Sequence, residues 1–294
     1  MNKPKLSFWR IWNLSFGFLG VQIGYSLQNS NTSSIFESLG ADVSHLSYFW
    51  LAAPLAGMIV QPIVGLFSDG TWTRWGRRIP YILGGSLISA LALVLMPNCP
   101  KLLAFAPLAM GAFILLFMDL SFNVTMQPFR ALVADMLDDS QKTQGYVVQT
   151  FLINLGAVVG AILPLVMTWL GVSDEAAPEH VSPHIVYSYY AGGAILLLTV
   201  LVTSFKTREY PPGEFARYNN LSDEGGAKPV SFAGLMRNVP GVMVRLGVTQ
   251  FFSWAALFLM WTYLKPAITG VVTDHATGEV LSAGATQTWV GVLN

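Results

Sequence analysis

An acidic residue inside a long apolar stretch is the feature of this 294-residue sequence that is hardest to explain as accidental. Asp119 lies in a run long enough to cross a bilayer, where an ionisable side chain is costly and by default functional. Asn123 and Arg130 follow four and eleven positions later, so a regular helix places all three near one face. Arg130 then lies about 16 Å along the axis from Asp119, too far for direct contact.

Two kinds of chemistry fit this stripe. A carboxylate can release a proton into a cavity, and a guanidinium offers forked hydrogen-bond donors, so Asp119 and Arg130 suit proton coupling and the binding of hydroxyl groups. The alternative is a structural ion pair between Asp119 and another helix. Asn123 lies on the same face and is a candidate for substrate contact.

Polar side chains also crowd the outer half of the first apolar stretch. Gln22, Tyr25 and Asn29 are spaced by three and four positions, so they share one helical face. Such groups must face protein or water, which predicts either a sugar-binding wall or interhelical hydrogen bonds that hold the bundle together. The crowded positions are Gln22, Ser26, Gln28, Asn29, Ser30, Asn31 and Thr32.

Further along the chain lie weaker candidates. Gln149 and Asn154 fall in the fifth apolar stretch and are candidate cavity residues. Trp254 and Trp261 are seven positions apart in the seventh stretch, so they share a face that could stack on a sugar ring or simply pack. His45 lies at the outer edge of the second stretch, where it could titrate or be an ordinary loop residue.

The loop after the second apolar stretch combines a carboxylate with several arginines. Asp69 stands at a helix end, where it can pair with an arginine or with the N-terminus of another helix. The alternative is that the arginines only keep this loop on the cytoplasmic side of the membrane. That would explain the presence of arginines, but not the fixed spacing of the glycines and Asp69 around them. The residues in question are Gly65, Asp69, Arg74, Gly76, Arg77 and Arg78.

Composition indicates the elements that hold these residues. The chain is 53% hydrophobic and 11% charged, with a mean hydropathy of +0.52, which excludes a disordered chain and a basic nucleic-acid binder and argues strongly against a soluble enzyme. Seven stretches are long enough to span a membrane, and an eighth begins at Trp289–Leu293. The seven lie near Ile11–Phe36, Leu46–Phe67, Ile79–Met96, Leu102–Met126, Val147–Leu170, Ile185–Phe205 and Val242–Leu264.

The basic residues predict an orientation. Of the 16 lysines and arginines, all but Lys101 and Lys265 fall before the first stretch, in alternate connections or, in the case of Arg245, at the start of the seventh stretch. This bias predicts a cytoplasmic N-terminus in a multi-pass membrane protein. The first stretch is too long for a cleavable signal. The polar segment 206–240 then reads as a cytoplasmic linker between a six-helix half, 1–205, and the start of a second half, 241–294.

The sequence carries no metal-binding cluster, phosphate-binding loop or nucleophile motif, so neither a cofactor nor a metal is expected. Its single cysteine, Cys99, permits no intrachain disulfide. We expect an all-α membrane protein with the lipid bilayer, a proton and a small sugar as its partners. A monomer is expected.

Several motifs together resemble the major facilitator superfamily, and within it the sucrose and maltose proton symporters. The loop Gly65…Asp69…Arg74-x-Gly76-Arg77-Arg78 is similar to the superfamily's signature loop, with the longer spacing of that branch. Gln22 in the first stretch and Trp50-Leu51-x-x-Pro54 in the second belong to similar runs. The run from Asp119 through Asn123 and Arg130 to Asp135 is the most specific, and Gln250-Phe-Phe-Ser-Trp254 resembles bacterial members.

The resemblance implies a fold, a mechanism and residue roles. It implies a twelve-helix transporter, of which this chain would hold seven helices and the start of an eighth, and symport of a disaccharide or glucoside. The short loops favour a bacterial protein, which would lie in the inner membrane. Asp119 matches the proton-coupling aspartate and Arg130 its partner. By the same resemblance, Gln250 and Trp254 join the substrate residues, and Asp135 joins the gating loop.

Three other functions compete with proton symport. A sodium-coupled or uniport sugar carrier is the nearest, but sodium prefers several oxygen ligands and the sequence offers one clear intramembrane carboxylate. A sugar sensor that binds without transporting would be expected to carry a signalling segment. An intramembrane transferase would need clustered carboxylates. The sequence does not identify the sugar.

Overall fold

The computed structural model describes residues 3–41, 52–103, 105–175, 180–219 and 239–271. Within these ranges the chain folds into long helices without a β-strand. We label the long helices α1 to α7. They span Phe8–Ser38, Ala52–Gly70, Ile79–Leu95, Pro107–Met136, Asp139–Trp169, Pro183–Lys206 and Gly241–Val271.

Short helical elements join or follow these helices. A 3-10 turn at Met96–Asn98 and a short helix at Cys99–Leu102 extend α3, and another short helix covers Pro212–Tyr218. Proline stands in the first turn of α3, α4 and α6, where its missing N–H costs nothing. Five described stretches are long and apolar enough to cross a membrane: Ile79–Leu102, Pro107–Met136, Asp139–Trp169, Pro183–Lys206 and Gly241–Met260.

The long helices follow one another in the predicted order, but the first two predicted spans are not among these five stretches, and several predicted ends differ from the helix ends. The fourth was expected to end near Met126, whereas α4 continues to Met136, and the fifth to begin near Val147, whereas α5 begins at Asp139. Helix α5 begins with polar turns, which a search for apolar length omits. Helix α4 instead continues past Met126 as a mostly apolar helix, in which Phe129, Leu132 and Val133 are buried. Asp138 caps α5 by accepting a hydrogen bond from the Ser140 backbone N–H, 3.1 Å away.

Helix α1 forms the centre of the bundle. It packs most extensively against α5 and α6, while α3 packs on α4 and α6, and α2 packs on α4. Phe18, Phe122 and Tyr189 are fully buried between these helices. By contrast, almost every described side chain of α7 is exposed, and α7 meets the bundle mainly at α1.

Two glycines allow α1 and α5 to approach closely. A Cβ atom at Gly156 would lie 2.5 Å from the Leu19 carbonyl oxygen, and one at Gly160 would lie 2.5 Å from that of Ile23. Both obstacles are backbone atoms, which cannot turn away as a side chain can. Small residues at such spacing are typical of close helix contacts in membranes.

Substitution of Gly160 by alanine should therefore force α1 and α5 apart and destabilise the bundle by about 1–3 kcal/mol, the usual cost of overpacking. The matched control is Gly84→Ala in α3, because a Cβ there meets nothing within 4 Å. Thermal melting in detergent checks both variants. Equal melting temperatures for Gly160→Ala and the wild type would show that this contact is not tight.

Some sequence predictions fall outside the described residues. They include His45, Trp50, most of the linker 206–240 and the eighth span at Trp289–Leu293. The side chain of Trp261 also lies outside them.

Candidate functional site

A cavity of about 640 Å³ lies between α1, α2, α4 and α5, and a side chain from α7 also reaches it. Its wall is a mixture of amides, hydroxyls, a guanidinium and apolar groups. From α1 come Gln22, Tyr25, Ser26, Asn29 and Ser30; from the other helices come Gln61, Asn123, Arg130, Asn154 and Trp254, among others. The polar face predicted for α1 thus lies on the cavity wall.

A chain of hydrogen bonds leads from this wall towards the buried acid of α4. The Gln61 side-chain N–H donates to Asn123 Oδ1 at 2.6 Å. Asn123 Nδ2 in turn donates to the backbone carbonyl of Asp119 at 2.8 Å. Asn123 therefore joins the cavity to the turn of α4 that holds Asp119.

The Asp119 side chain itself does not line the cavity. It is 1% exposed and accepts a hydrogen bond at Oδ1 from the Gln28 amide N–H of α1. Asp119 Oδ2 and Gln28 Oε1 are both buried and have no hydrogen-bond partner among the described residues. Among the described residues Asp119 forms no ion pair, so this structure does not contain the interhelical salt bridge that was the alternative for Asp119.

Arg130 is exposed to the cavity, three turns along α4 from Asp119. Helix α4 runs without interruption through Pro128, so the axial separation expected for a regular helix applies. Tyr25 contributes its ring to the wall from α1 and packs edge-on against Phe122, with ring centroids 5.7 Å apart. The cavity thus has a cationic group, aromatic surface and several amides.

Two predicted cavity residues lie elsewhere. Gln149 is 3% exposed and donates from Nε2 to the Phe129 carbonyl oxygen at 3.1 Å, so it joins α5 to α4. Gln250 is exposed on α7 and is not one of the residues that line the cavity. Asn154, five positions after Gln149, does line the cavity because five residues turn a helix by about 500°, which points the two side chains in different directions.

The arginine loop forms a connected ionic network at one end of the bundle. Asp135 of α4 accepts from Arg77 Nη2 at 2.5 Å and from Arg78 Nε at 2.9 Å. Arg78 also pairs with Asp69 at 2.5 Å and donates to Ser68 Oγ at 2.5 Å. Arg78 thus bridges Asp69 and Asp135, whereas Arg77 pairs with Asp135 alone among the described residues.

The remaining residues of that loop have distinct surroundings. Gly65 lies inside α2 next to Gln127, and Arg74 stacks over the Trp75 ring at 5.7 Å. Gly76 has a φ of 114°, which strains any other residue. The Arg77 guanidinium lies 4.1 Å from the Phe215 ring centroid, so the short helix Pro212–Tyr218 covers the network.

Glu209, which follows α6, was not singled out in the sequence. Its two carboxylate oxygens accept hydrogen bonds from the backbone N–H groups of Arg77, Arg78 and Ile79, at 3.0, 2.8 and 2.9 Å. These N–H groups begin α3, so Glu209 caps that helix from a distant part of the chain. The sequence offered one indication of this role: Glu209 is an acid just after a predicted span, next to basic residues.

We expect Glu209→Ala to destabilise the loop, because three backbone N–H groups lose their acceptor. Glu209→Gln keeps one acceptor oxygen and should fall between Glu209→Ala and the wild type. Burial raises the pKa of Glu209 above its ordinary value of 4.5, against the opposing effect of the N–H groups.

The sign of the pH dependence follows from that shift. A raised pKa gives a stability contribution that is present at low pH and is lost as the pH rises through the raised pKa. The melting temperature of the wild type relative to Glu209→Gln should therefore fall as the pH rises above about 4.5. If the melting temperature of the wild type instead rose relative to that of Glu209→Gln with increasing pH, the pKa of Glu209 would not be raised by burial.

Comparisons with known proteins place these features in a family. Residues 35–275 match the family described as MFS/sugar transport protein. The General alpha-glucoside permease of Schizosaccharomyces pombe is 25% identical over 279 residues, which is 90% of this chain and 48% of the relative. Sucrose transport protein SUC4 of Arabidopsis thaliana is 27% identical over 259 residues, 81% of this chain and 50% of the relative.

A third relative, Sucrose transport protein SUT5 of Oryza sativa subsp. indica, is 25% identical over 283 residues, 85% of this chain and 51% of the relative. The chain belongs to the MFS/sugar transport protein family. It is an all-α, multi-pass membrane protein, as the sequence predicted. The chain spans about half the length of these three relatives.

Proposed function

We propose that this protein is a secondary active transporter that carries a disaccharide or related glucoside together with a proton by alternating access. The observation that carries the proposal is the cavity between α1, α2, α4 and α5, whose polar wall connects through Asn123 to the turn that holds the buried Asp119. Family membership and the names of the relatives, which are a permease and sucrose transport proteins, support a sugar as the substrate.

The cavity wall suits a neutral, hydroxyl-rich ligand. Amides such as Asn29 and Asn154 can both donate to and accept from hydroxyl groups, while Arg130 only donates. Tyr25 and Trp254 add aromatic surface for the apolar face of a sugar ring. The volume of about 640 Å³ lies in the usual range of small-molecule sites.

The surroundings of Asp119 suit a carboxyl group that gains and loses a proton. A protonated carboxyl can pair with an amide through two hydrogen bonds, one in each direction. Asp119 Oδ2 and Gln28 Oε1 are the two buried oxygens left unpartnered beside the existing bond, so a proton on Asp119 has an acceptor at hand. An ionised Asp119 would instead leave a charge in an apolar interior.

A sodium-coupled carrier is the competing proposal, and the residues favour the proton. Sodium prefers several oxygen ligands, whereas Asp119 is the one buried acidic side chain among the described residues. Uptake driven by sodium at equal pH would reverse this preference.

Counterflow in proteoliposomes, measured with a panel of disaccharides and glucosides, tests the substrate. We expect exchange of at least one such sugar and none of a charged solute of similar size. Asn29→Ala should raise the half-saturating sugar concentration up to about tenfold, as expected for one lost hydrogen bond. The matched control is Asn219→Ala, outside the cavity. Absence of exchange with every sugar in the panel would overturn the proposal.

The proposed orientation puts the N-terminus and the segment 206–240 in the cytoplasm of a bacterial inner membrane, following the bias of basic residues. A cysteine introduced at Ser222 should react with an impermeant maleimide only from the cytoplasmic side. Cys99, the one native cysteine of this sequence, is fully buried and gives little background. Labelling of intact cells from outside would invert the topology.

A further inference from the structure

A second cavity lies beside the ionic network, at the same end of the bundle. It has a volume of about 660 Å³ and is formed by the loop before α3, the first turns of α3 and the segment that follows α6. Its rim includes Trp72, Arg74, Trp75 and Arg208. It shares no lining residue with the proposed sugar cavity in the part of the chain that the structure describes.

The cationic side chains of this rim are not neutralised by the described part of the protein. Among those residues, neither Arg74 nor Arg208 forms an ion pair, and both side chains are exposed. Glu209 is the one carboxylate among the described lining residues, and it is already bonded to three backbone N–H groups. The N-terminus of α3 is therefore satisfied by Glu209, and the positive charge of the rim comes from the two arginines.

The lining of the cavity changes from polar to apolar along α3. Leu83 lies about 6 Å deeper than Ile79 along the helix axis, and both line the cavity. Phe205, in the last turn of α6, is 80% exposed beside them. Trp72 and Trp75, which are 38% and 52% exposed, stand at the polar rim, where amphipathic rings favour the level of lipid headgroups.

From this arrangement we infer that the cavity binds an anionic phospholipid. Arg74 and Arg208 contact the phosphate, the two tryptophans lie at the headgroup level, and an acyl chain follows Leu83 and Phe205 into the membrane. Basic pockets between spanning helices are suited to phosphate headgroups, while a soluble phosphate would gain nothing from the apolar part of the cavity. The inference does not depend on the transported substrate or on its coupling ion.

Binding of a dansyl-labelled phosphatidylglycerol to the purified full-length protein in detergent tests the site, with energy transfer from tryptophan as the signal. We expect saturable binding that dansyl phosphatidylcholine does not reproduce. Arg74→Gln and Arg208→Gln should each weaken the affinity about fivefold, and the double variant about thirtyfold, from about 1 kcal/mol per basic residue. Unchanged melting temperatures in the absence of lipid would show that these exposed substitutions preserve the fold.

Two control arms separate a lipid site from general surface attraction and from a simple anion site. Lys5→Gln/Arg217→Gln removes two exposed basic residues outside the cavity and should leave the affinity within about twofold. An equal loss in this control would show general surface attraction and overturn the site. Inorganic phosphate at matched ionic strength should not displace the lipid. Displacement by phosphate alone would identify an anion site and overturn the assignment to a lipid.

Discussion

Asp119→Asn should abolish sugar accumulation driven by a pH gradient and still permit exchange of sugar at equal pH. Asparagine keeps the size of the side chain and a hydrogen-bond acceptor for Gln28, but its amide does not bind or release a proton at the pH values used for transport. Exchange requires no net proton release, so it should proceed within about an order of magnitude of the wild-type rate. Uptake and counterflow in proteoliposomes measure the two activities side by side.

The matched control is Glu175→Gln, an exposed acid between α5 and α6 that should leave both activities unchanged. Concentrative uptake by Asp119→Asn near the wild-type rate would remove Asp119 from the coupling mechanism. Loss of both uptake and exchange would instead mark Asp119 as a residue required for folding or sugar binding.

Asp135→Asn should slow transport at least about tenfold and leave sugar binding within about twofold. Asp135 is the shared acceptor of Arg77 and Arg78, whose side chains are only 8% and 6% exposed, so its loss leaves buried positive charge poorly compensated. We propose that this network stabilises the outward-open state by holding the cytoplasmic end of the bundle. Its loss therefore affects the rate of the conformational change more than the sugar site.

Substitutions of the acidic residues near this network should slow transport to different extents, depending on how exposed each acid is. Asp69 is 52% exposed and pairs with Arg78, so Asp69→Asn should have a smaller effect than Asp135→Asn. Asp139→Asn, whose acid is 92% exposed and pairs with Lys142, is the matched control and should change the rate less than about twofold. Weaker sugar binding with normal turnover in Asp135→Asn would contradict a role in gating.

The order of the spans could be predicted from sequence because membrane helices need about 20 apolar residues each. Positions that share a face could also be predicted, as Gln22, Tyr25 and Asn29 show, because helical spacing alone sets that relation. The end of α4 and the start of α5 could not, because α4 continues through Pro128 and Arg130 and α5 begins with polar turns.

Contacts between different helices could not be predicted from the sequence. The bond between Gln28 and Asp119 joins residues 91 positions apart, and the cap that Glu209 forms on α3 joins residues about 130 apart. Spacing within one helix also does not say which face meets the cavity, so the sequence does not distinguish Gln149, which bonds to the Phe129 carbonyl, from Gln61, which lines the cavity. Such assignments depend on how helices pack, and packing depends on small features such as Gly156 and Gly160.

Simultaneous measurement of sugar and proton movement tests the central claim most directly. Proteoliposomes containing the full-length protein, with equal pH on both sides and no sodium, receive an external pulse of a sugar identified by counterflow. Proton-coupled symport predicts that the external medium becomes alkaline in step with sugar entry, and that this pH change disappears in Asp119→Asn. Sugar entry without proton movement, or entry that occurs only when sodium is added, would contradict proton-coupled symport.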